Sequence, residues 1–270
     1  MVSDFSSNCK SFYTKKVLEL AQEGFIPGPQ ESEKEFIQRA ESTKKKWEEK
    51  KIPFAHLDFA KEKLCQVFDI NPSFLPIFYS NDSLFFWQGA VSWIGDHHEI
   101  LIQLRNGLKK GSYLGYSRDE LIAHEAVHAA RCAFDEPRFE EFFAYFTSEK
   151  WWRRILGPII QRPWEIWPLW LFCSLSFFSS WASFFSLFWV FLGFFRLVRN
   201  FWTLRLAYLQ IMKEVQDEKV ARAILVRLSD EEIALFAKGQ NVVAYGAEKK
   251  ELRWQLLQFF YLRRENDKKN

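Results

Sequence analysis

Thirty consecutive residues without a charged side chain, Ile166–Phe195, constrain this chain more than any other feature. The stretch is rich in Phe, Trp, Leu and Ser, and it exceeds the roughly 18 uncharged apolar residues that mark a membrane segment. Arginines and tryptophans flank it on both sides, as is typical of membrane-segment ends: Trp151, Trp152, Arg153, Arg154, Arg162, Trp164, Arg196, Arg199, Trp202 and Arg205. We therefore predict an integral membrane protein whose segment 164–203 contacts a lipid bilayer.

The length of this stretch allows two arrangements. A single helix of 30 residues would be about 45 Å long, more than the roughly 30 Å of a hydrocarbon core requires. A hairpin would have two arms of only about 20 Å, with Ser179, Ser180 and Trp181 at its tip. Basic residues on both flanks suit a hairpin whose two ends lie on one side. The hairpin is favoured, and the single long helix is the alternative.

The remaining composition excludes several classes of protein. A formal net charge of +3, evenly spread, does not suggest a nucleic-acid-binding protein. The cysteines form no CxxC pair, so we expect neither a disulfide framework nor a structural zinc knuckle: Cys9, Cys65, Cys132 and Cys173. Polar residues interrupt every apolar run among the first 30 residues, which argues against a cleavable secretory signal.

A well-marked helix begins upstream of the apolar stretch. Ser117 and Glu120 have the spacing of a capping box, in which the serine side chain and the glutamate side chain each bind a free backbone N–H. The predicted helix runs from Arg118 to about Ala133. It contains the sequence His-Glu-Ala-Val-His at positions 124–128, an HExxH motif.

The spacing of this motif is that of a metal site. His124 and His128 are four residues apart on one helix face, so both imidazoles can reach one ion at about 2.0–2.1 Å. Glu125 is rotated away from that line, too far to be a ligand but near enough to hold a water molecule at the ion. The sequence therefore predicts a zinc site with Glu125 as its catalytic base.

A catalytic zinc site uses three protein ligands and leaves one position for water. Glu140 and Glu141 are the nearest carboxylate pair downstream, on a helix that begins near Pro137. That helix has an apolar stripe at i, i+3, i+4 and i+7, composed of Phe139, Phe142, Phe143 and Phe146. Both glutamates lie off the stripe, so helical periodicity alone leaves the choice between them open.

The HExxH sequence followed by Glu-Phe-Phe-Ala-Tyr at 141–145 resembles the gluzincins, a family of zinc metallopeptidases. Their third ligand is a glutamate on the helix after the HExxH helix, commonly followed three residues later by a small residue. Ala144 holds that position relative to Glu141. The resemblance therefore implies zinc bound by His124, His128 and Glu141.

The 12 residues between the second histidine and Glu141 are similar to the short spacing of the compact minigluzincins. Tyr145 departs from the family pattern, because thermolysin-like members often have an aspartate there that supports a histidine ligand. Predicted strands at Leu84–Ile94 and Glu99–Arg105 form a β-hairpin ahead of the HExxH helix. The second strand resembles the edge strand on which such enzymes place the substrate backbone.

The expected fold is α+β, with a compact zincin-like core made of a small sheet with an edge strand, the HExxH helix and the glutamate helix. We predict four regions: helical residues 1–70, the metallopeptidase core at 71–152, the membrane segment at 164–203 and helical residues 204–270. In the last region a long amphipathic helix is expected over Leu204–Leu228. A second capping box, Ser229 with Glu232, begins the next helix.

The function expected from these features is that of a membrane-anchored zinc peptidase, whose partners are a peptide or protein substrate and a lipid bilayer. One alternative is a catalytically inactive zincin-fold membrane scaffold or assembly factor, in which zinc is structural. Another is an interaction protein in which HExxH is accidental. Stoichiometric bound metal would distinguish the peptidase and the scaffold from an interaction protein with an accidental motif. Cleavage of peptides would distinguish the peptidase from the scaffold.

Overall fold

The computed structural model describes residues 15–49, 52, 56–72, 75–95 and 98–262. The first 14 and last eight positions of the predicted helical regions therefore lie outside the described residues. Within the described ranges the chain is α+β and mostly helical, with one small sheet and one long apolar helix, which agrees with the expected fold class.

Three helices precede the sheet: α1 (Lys15–Gln22), α2 (Glu33–Glu49) and α3 (Asp58–Phe68). The sheet contains three short strands: β1 (Ile77–Tyr79), β2 (Ala90–Ile94) and β3 (Ile100–Leu104). A two-stranded ribbon then leads into the HExxH helix: β4 (Ser112–Tyr113) and β5 (Tyr116–Ser117).

The order of the strands corrects one prediction. β3 is the central strand, parallel to β1 and antiparallel to β2, so Ile102 is opposite both Ile77 and Ser92. The expectation that Glu99–Arg105 is the edge strand is therefore wrong, because both of its sides are already hydrogen-bonded. In the described part of the chain β2 pairs with β3 alone, which makes β2 an edge strand.

The predicted strand Leu84–Ile94 is also shorter than expected. Only Ala90–Ile94 pairs as a strand, and residues 81–88 form turns instead. The side chain of Arg105 explains this, since its guanidinium donates to the carbonyl oxygens of Leu84, Phe85 and Gln88. These carbonyls are therefore occupied by a cation rather than by a neighbouring strand.

Two helices follow the ribbon: α4 (Arg118–Arg131) and α5 (Pro137–Phe146). Helix α4 packs against α3, α5 and β2. The Phe stripe of α5 is confirmed at Phe139, Phe142 and Phe143, which are buried. Apolar residues of α4 and α5 and the buried isoleucines of β3 belong to one hydrophobic core, which fixes the two helices relative to the sheet.

The charge-free stretch forms two packed helices rather than one. After α6 (Trp151–Leu156), helix α7 covers Ile166–Leu175 and helix α8 covers Ser180–Val215. Phe172 stacks on Phe185 at a ring distance of 5.6 Å, so the arms are antiparallel and the turn between them is at residues 176–179. The chain therefore folds back on itself within the charge-free stretch, but its two helices have 10 and 36 residues and are not the two short arms of the expected hairpin.

Helix α8 is long and apolar enough to cross a membrane, judged by its length and composition. It continues without interruption through Leu204 and ends where Gln216 adopts a left-handed backbone (φ 53°). The expectation of a single helix over Leu204–Leu228 is therefore wrong, because its first half is the end of α8 and its second half is a separate helix.

Four further helices follow α8: α9 (Glu218–Leu225), α10 (Asp230–Ala237), α11 (Val242–Glu248) and α12 (Leu252–Leu257). The first three contact α8, and α12 contacts α11. The capping box of Ser229 and Glu232 is confirmed at the start of α10. The carboxylate of Glu232 also binds Arg253 and the indole N–H of Trp254, both buried on α12. This ion pair connects α10 to α12.

Candidate metal centre

The predicted start of the HExxH helix is confirmed, but only half of its capping box forms. The backbone N–H of Glu120 donates to the side-chain oxygen of Ser117 at 3.1 Å. The Glu120 carboxylate does not return to the cap, because it accepts hydrogen bonds from Ser148 and Arg153 instead. The cap fixes where α4 begins, while Glu120 connects α4 to the chain after α5.

The structure brings the three predicted ligands together. The Nε2 atoms of His124 and His128 are 3.2 Å apart. The two carboxylate oxygens of Glu141, on α5, are each 3.6 Å from one of these nitrogens. Ligands at about 2.0–2.1 Å from a tetrahedral ion are separated from one another by about 3.3 Å. The donor set therefore has the chemistry and the spacing that a zinc ion needs.

Glu140 and Glu141 have different positions, which helical periodicity alone did not distinguish. Glu141 faces the two Nε2 atoms, whereas Glu140 Oε1 is 3.0 Å from Nδ1 of His128, on the far side of that ring. A proton shared at Nδ1 leaves Nε2 with a free lone pair directed at the ligand cluster. Glu140 is thus placed to orient His128 rather than to bind an ion.

A buried arginine lies behind Glu140. Arg131, at the end of α4, is fully buried and donates from Nη1 to the carbonyl oxygens of Val226 and Leu228. Its Nε is 4.0 Å from Glu140 Oε2, and its guanidinium lies over the rings of Phe134 and Phe143. The helices after the apolar hairpin therefore help to position the histidine ligand through Arg131.

Glu125 lies beside the ligand cluster and is buried between α4 and β2. The hydroxyl of Ser92, on β2, donates a hydrogen bond to Glu125 Oε2. Sequence reasoning did not identify Ser92. The only available signal was a hydroxyl among the apolar residues of a predicted strand, and such a serine has no defined partner until the strand is packed against a helix.

Tyr145 occupies the position at which the family pattern suggests an aspartate. Its ring packs edge-to-face on His124, with the ring centres 4.6 Å apart. Tyr145 is itself tightly enclosed, because a Cβ added at Gly157 would lie 2.4 Å from its ring. An aromatic contact thus restrains His124, and only a glycine at position 157 leaves room for it.

The electrostatics of the cluster suit a cation. Burial raises the pKa of Glu141 to about 7, and the charges of Glu125 and Glu140 act in the same direction. Burial lowers the pKa of His128, but its hydrogen bond to Glu140 and the charge of Glu141 outweigh that effect and raise the pKa to about 10. Burial and the neighbouring His128 hold the pKa of His124 well below its ordinary value. A divalent ion would replace the trapped protons and stabilise the ionised carboxylate.

A cavity of about 220 Å³ opens beside His124 and Glu125. Ala90 of the edge strand β2 lines one side. Much of the remaining wall is aromatic and aliphatic, including Trp87, Tyr113, Tyr116 and Leu121. The Tyr113 hydroxyl donates to the carbonyl oxygen of Phe86, so it holds the wall in place. The cavity therefore connects the edge strand β2 to the side chains of His124 and Glu125.

Comparison with protein-family models, with curated proteins and with solved structures finds no match to this chain. The function must therefore be inferred from the chemistry of the site and the surfaces around it.

Proposed function

We propose that this chain is a membrane-anchored zinc-dependent peptidase with a zincin-like core. The observation that carries the proposal is the convergence of two imidazole nitrogens and one carboxylate at 3.2–3.6 Å, with a second carboxylate, Glu125, beside them. His124, His128 and Glu141 would hold the ion. Three protein ligands and one open position are typical of catalytic rather than structural zinc.

A bound zinc ion supplies a Lewis acid that lowers the pKa of water and polarises a peptide carbonyl. Glu125 accepts a proton from the water that attacks the carbonyl carbon. A C–O bond forms, the C–N bond breaks, and Glu125 returns the proton to the departing nitrogen. The hydrogen bond from Ser92 holds one carboxylate oxygen of Glu125, and this leaves the other oxygen to move the proton.

The structure suggests a different strand for substrate from the one expected from the sequence. The edge is β2, not β3, and β2 also carries Ser92 and contacts α4. An extended peptide that pairs with β2 gains main-chain hydrogen bonds with little dependence on its sequence. The aromatic cavity next to His124 then selects for an apolar side chain.

Membrane attachment is supported by the hairpin of α7 and α8. The most apolar 18-residue window of α8 is only 11% buried, unlike the core helix of a water-soluble protein. The exposed rings and aliphatic side chains of this hairpin would be solvated by lipid.

The proposal is tested with the zinc-loaded full-length protein and a fluorescence-quenched peptide library. The library is supplied both free in solution and attached to vesicles through a lipid chain. Wild-type protein should bind one zinc and cleave peptides. Glu125→Gln should retain zinc and lose about 100-fold or more of the activity, because the general base is removed while the ligands remain. Asp119→Asn, an acidic residue on the exposed side of the same helix, is the matched control and should have wild-type activity.

Two outcomes would overturn the proposal. Protein without stoichiometric zinc would indicate that the HExxH sequence is accidental. Zinc-loaded wild-type protein that cleaves neither form of the library would favour the inactive membrane scaffold, in which the ion only connects α4 to α5.

A further inference from the structure

Aromatic side chains form an exposed collar between the metal centre and the base of the hairpin. The aromatic collar consists of Phe85, Phe86, Trp87, Trp164 and Trp167, and Phe86 is 73% exposed. Large exposed apolar patches on a folded protein mark a surface that contacts something other than water. Tryptophans are also typical of the boundary between lipid chains and water.

The loop that carries three of the five collar residues is held in place by hydrogen bonds. Arg105 donates to Gln88 O at 2.8 Å, and Gln103 donates to Asp82 O at 2.7 Å. Tyr113 donates to the carbonyl oxygen of Phe86. The exposure of the rings therefore follows from fixed contacts of the loop backbone with the sheet and the ribbon.

Ring contacts connect this loop to the hairpin. Phe85 stacks on Trp87 at 4.8 Å and meets Trp167, in the first turn of α7, at 6.4 Å. The loop therefore lies beside the first turn of α7, where the hairpin begins.

A salt bridge between Glu165 and Arg196 lies at the same end of the hairpin. Arg196 binds both carboxylate oxygens of Glu165 at 2.7 and 2.6 Å, and the residues between them carry no charge. From Ser180 to Arg196 helix α8 rises by about 24 Å, slightly less than the roughly 30 Å of a hydrocarbon core. The ion pair would therefore lie at one surface of the bilayer, with the hairpin tip reaching most of the way across.

The same loop forms the wall of the cavity beside the metal centre. Trp87 lines that cavity together with His124 and Glu125. A collar at the lipid surface therefore places the mouth of the cavity at the lipid surface as well.

We propose that the aromatic collar is a lipid-binding surface that seats the metal centre at the bilayer interface, so that the substrates are polypeptide segments leaving the membrane. The first part depends on the collar and the hairpin alone. The second part rests on the proposed peptidase function. The collar is continuous with the charge-free hairpin, so both surfaces would contact the same surroundings. Lipid is therefore favoured over a protein partner as what covers the collar.

The position of the collar is tested by depth-dependent quenching in vesicles. The four natural cysteines are replaced by alanine, and a fluorophore is attached at Phe86→Cys or, in a second protein, at Leu187→Cys, an exposed residue about 14 Å along α8 from Arg196. The vesicle lipids carry a spin-label quencher either near the headgroup or deep in the acyl chain. The probe at position 86 should be quenched more by the shallow label, and the probe at position 187 more by the deep label.

The quenching experiment requires no turnover, so it gives an answer even if the protein is not a peptidase. A probe at position 86 that is unaffected by either label would overturn the collar proposal. Stronger quenching of that probe by the deep label would also overturn it, because the collar would then not lie at the interface.

The substrate class is tested with the two forms of the peptide library. Phe86→Asp should lower cleavage of the vesicle-attached form about tenfold, because the loop loses its apolar contact with lipid. Cleavage of the free form should be unchanged, since the Phe86 side chain does not line the cavity. Val243→Asp, at an exposed apolar residue of α11, is the matched control and should leave both rates unchanged.

Equal losses on both forms of the library would show that Phe86→Asp damages the site itself and would overturn the substrate class. Unchanged cleavage of both forms would overturn it as well. Failure of the wild type to cleave either form would instead count against the proposed function, and the quenching result would still stand.

Discussion

The candidate metal centre and the apolar hairpin each consist of two consecutive helices. Apolar side chains are mostly buried in the first pair and mostly exposed in the second. Helices α4 and α5 bury theirs: Phe139 and Val127 have no exposed surface. Helix α7 has no buried residue at all, and rings on α8 such as Phe184 and Phe191 are 60% exposed. One helix pair is stabilised by packing within the protein, and the other presents a surface that water solvates poorly.

Polar groups show the same contrast. At the metal centre Glu125, Glu140 and Glu120 have specific partners on other elements. Inside the hairpin, the hydroxyl of Ser174 donates to a carbonyl of its own helix, as does that of Ser186. Such local hydrogen bonds satisfy a hydroxyl without water, which is what a lipid environment requires. The two regions therefore differ in how their polar side chains are satisfied, which supports the proposal that lipid surrounds the hairpin.

The largest expected effect is on the free energy of unfolding, which should fall far more when a ring is removed near the candidate metal centre than when one is removed from the hairpin. Phe139→Ala removes a fully buried ring from the core beside the metal centre and should cost about 3–5 kcal/mol of the free energy of unfolding. Phe184→Ala removes a ring that is mostly exposed on the hairpin and should cost less than about 0.5 kcal/mol. Urea unfolding in detergent micelles, followed by far-UV circular dichroism, measures both. Similar losses for the two variants would contradict the contrast in packing.

A second prediction concerns the two neighbouring glutamates of α5. Glu141→Gln should abolish stoichiometric zinc binding, because a ligand is lost. Glu140→Gln should weaken zinc binding by about 10–100-fold, because His128 loses the group that orients it. Glu165→Gln at the base of the hairpin is the matched control and should leave zinc affinity unchanged. Competition with a chromophoric chelator gives the affinities.

The assignment of these roles would be reversed by the opposite result. If Glu140→Gln abolished zinc binding and Glu141→Gln only weakened it, Glu140 would be the ligand.

A smaller effect is expected from pH. Zinc must displace protons from Glu141, whose pKa burial raises to about 7, and from His128, whose pKa its acidic neighbours raise to about 10. Zinc binding should therefore release about one proton fewer at pH 8 than at pH 6, since Glu141 has already ionised at the higher pH. Titration calorimetry in buffers of different ionisation enthalpy counts these protons. A proton count that does not change with pH would contradict the shifted pKa of Glu141.

The same pKa shifts determine whether the stability of the metal-free protein rises or falls with pH. Both pKa values are raised in the fold, so their contribution to stability is complete below the unfolded values and is lost as pH rises through about 7 and about 10. The Tm of the metal-free protein should therefore fall over this range. Membrane retention of the hairpin should not change with pH, because residues 166–195 carry no charged side chain.

Much of the hairpin, and the part of the candidate metal site that lies on α4, could be predicted from the sequence. The cap at Ser117, the helix that follows it and the shared face of His124 and His128 depend only on spacing along one helix. The uncharged length of Ile166–Phe195 limited the apolar segment to one long helix or a hairpin. Each of these inferences uses contacts between residues that are near in sequence.

The predictions that were wrong all depend on contacts between separate elements of the fold. Glu99–Arg105 has the alternation of a half-buried strand, but alternation does not reveal how many neighbours a strand has. Leu84–Gln88 has the residues of a strand, yet Arg105 occupies its carbonyls. Leu204–Leu228 is amphipathic throughout, and the break at Gln216 depends on how α9 folds back on α8.

The sequence by itself determined which residues could bind an ion and which segment would avoid water, because helical periodicity and transfer from water act on each segment separately. Only the tertiary structure decided that Glu141 rather than Glu140 faces the histidines, that Ser92 holds Glu125, and that an aromatic loop joins the site to the hairpin. These arrangements depend on the packing of separate elements around a common core. The relative placement of such elements is not contained in the spacing of any one of them.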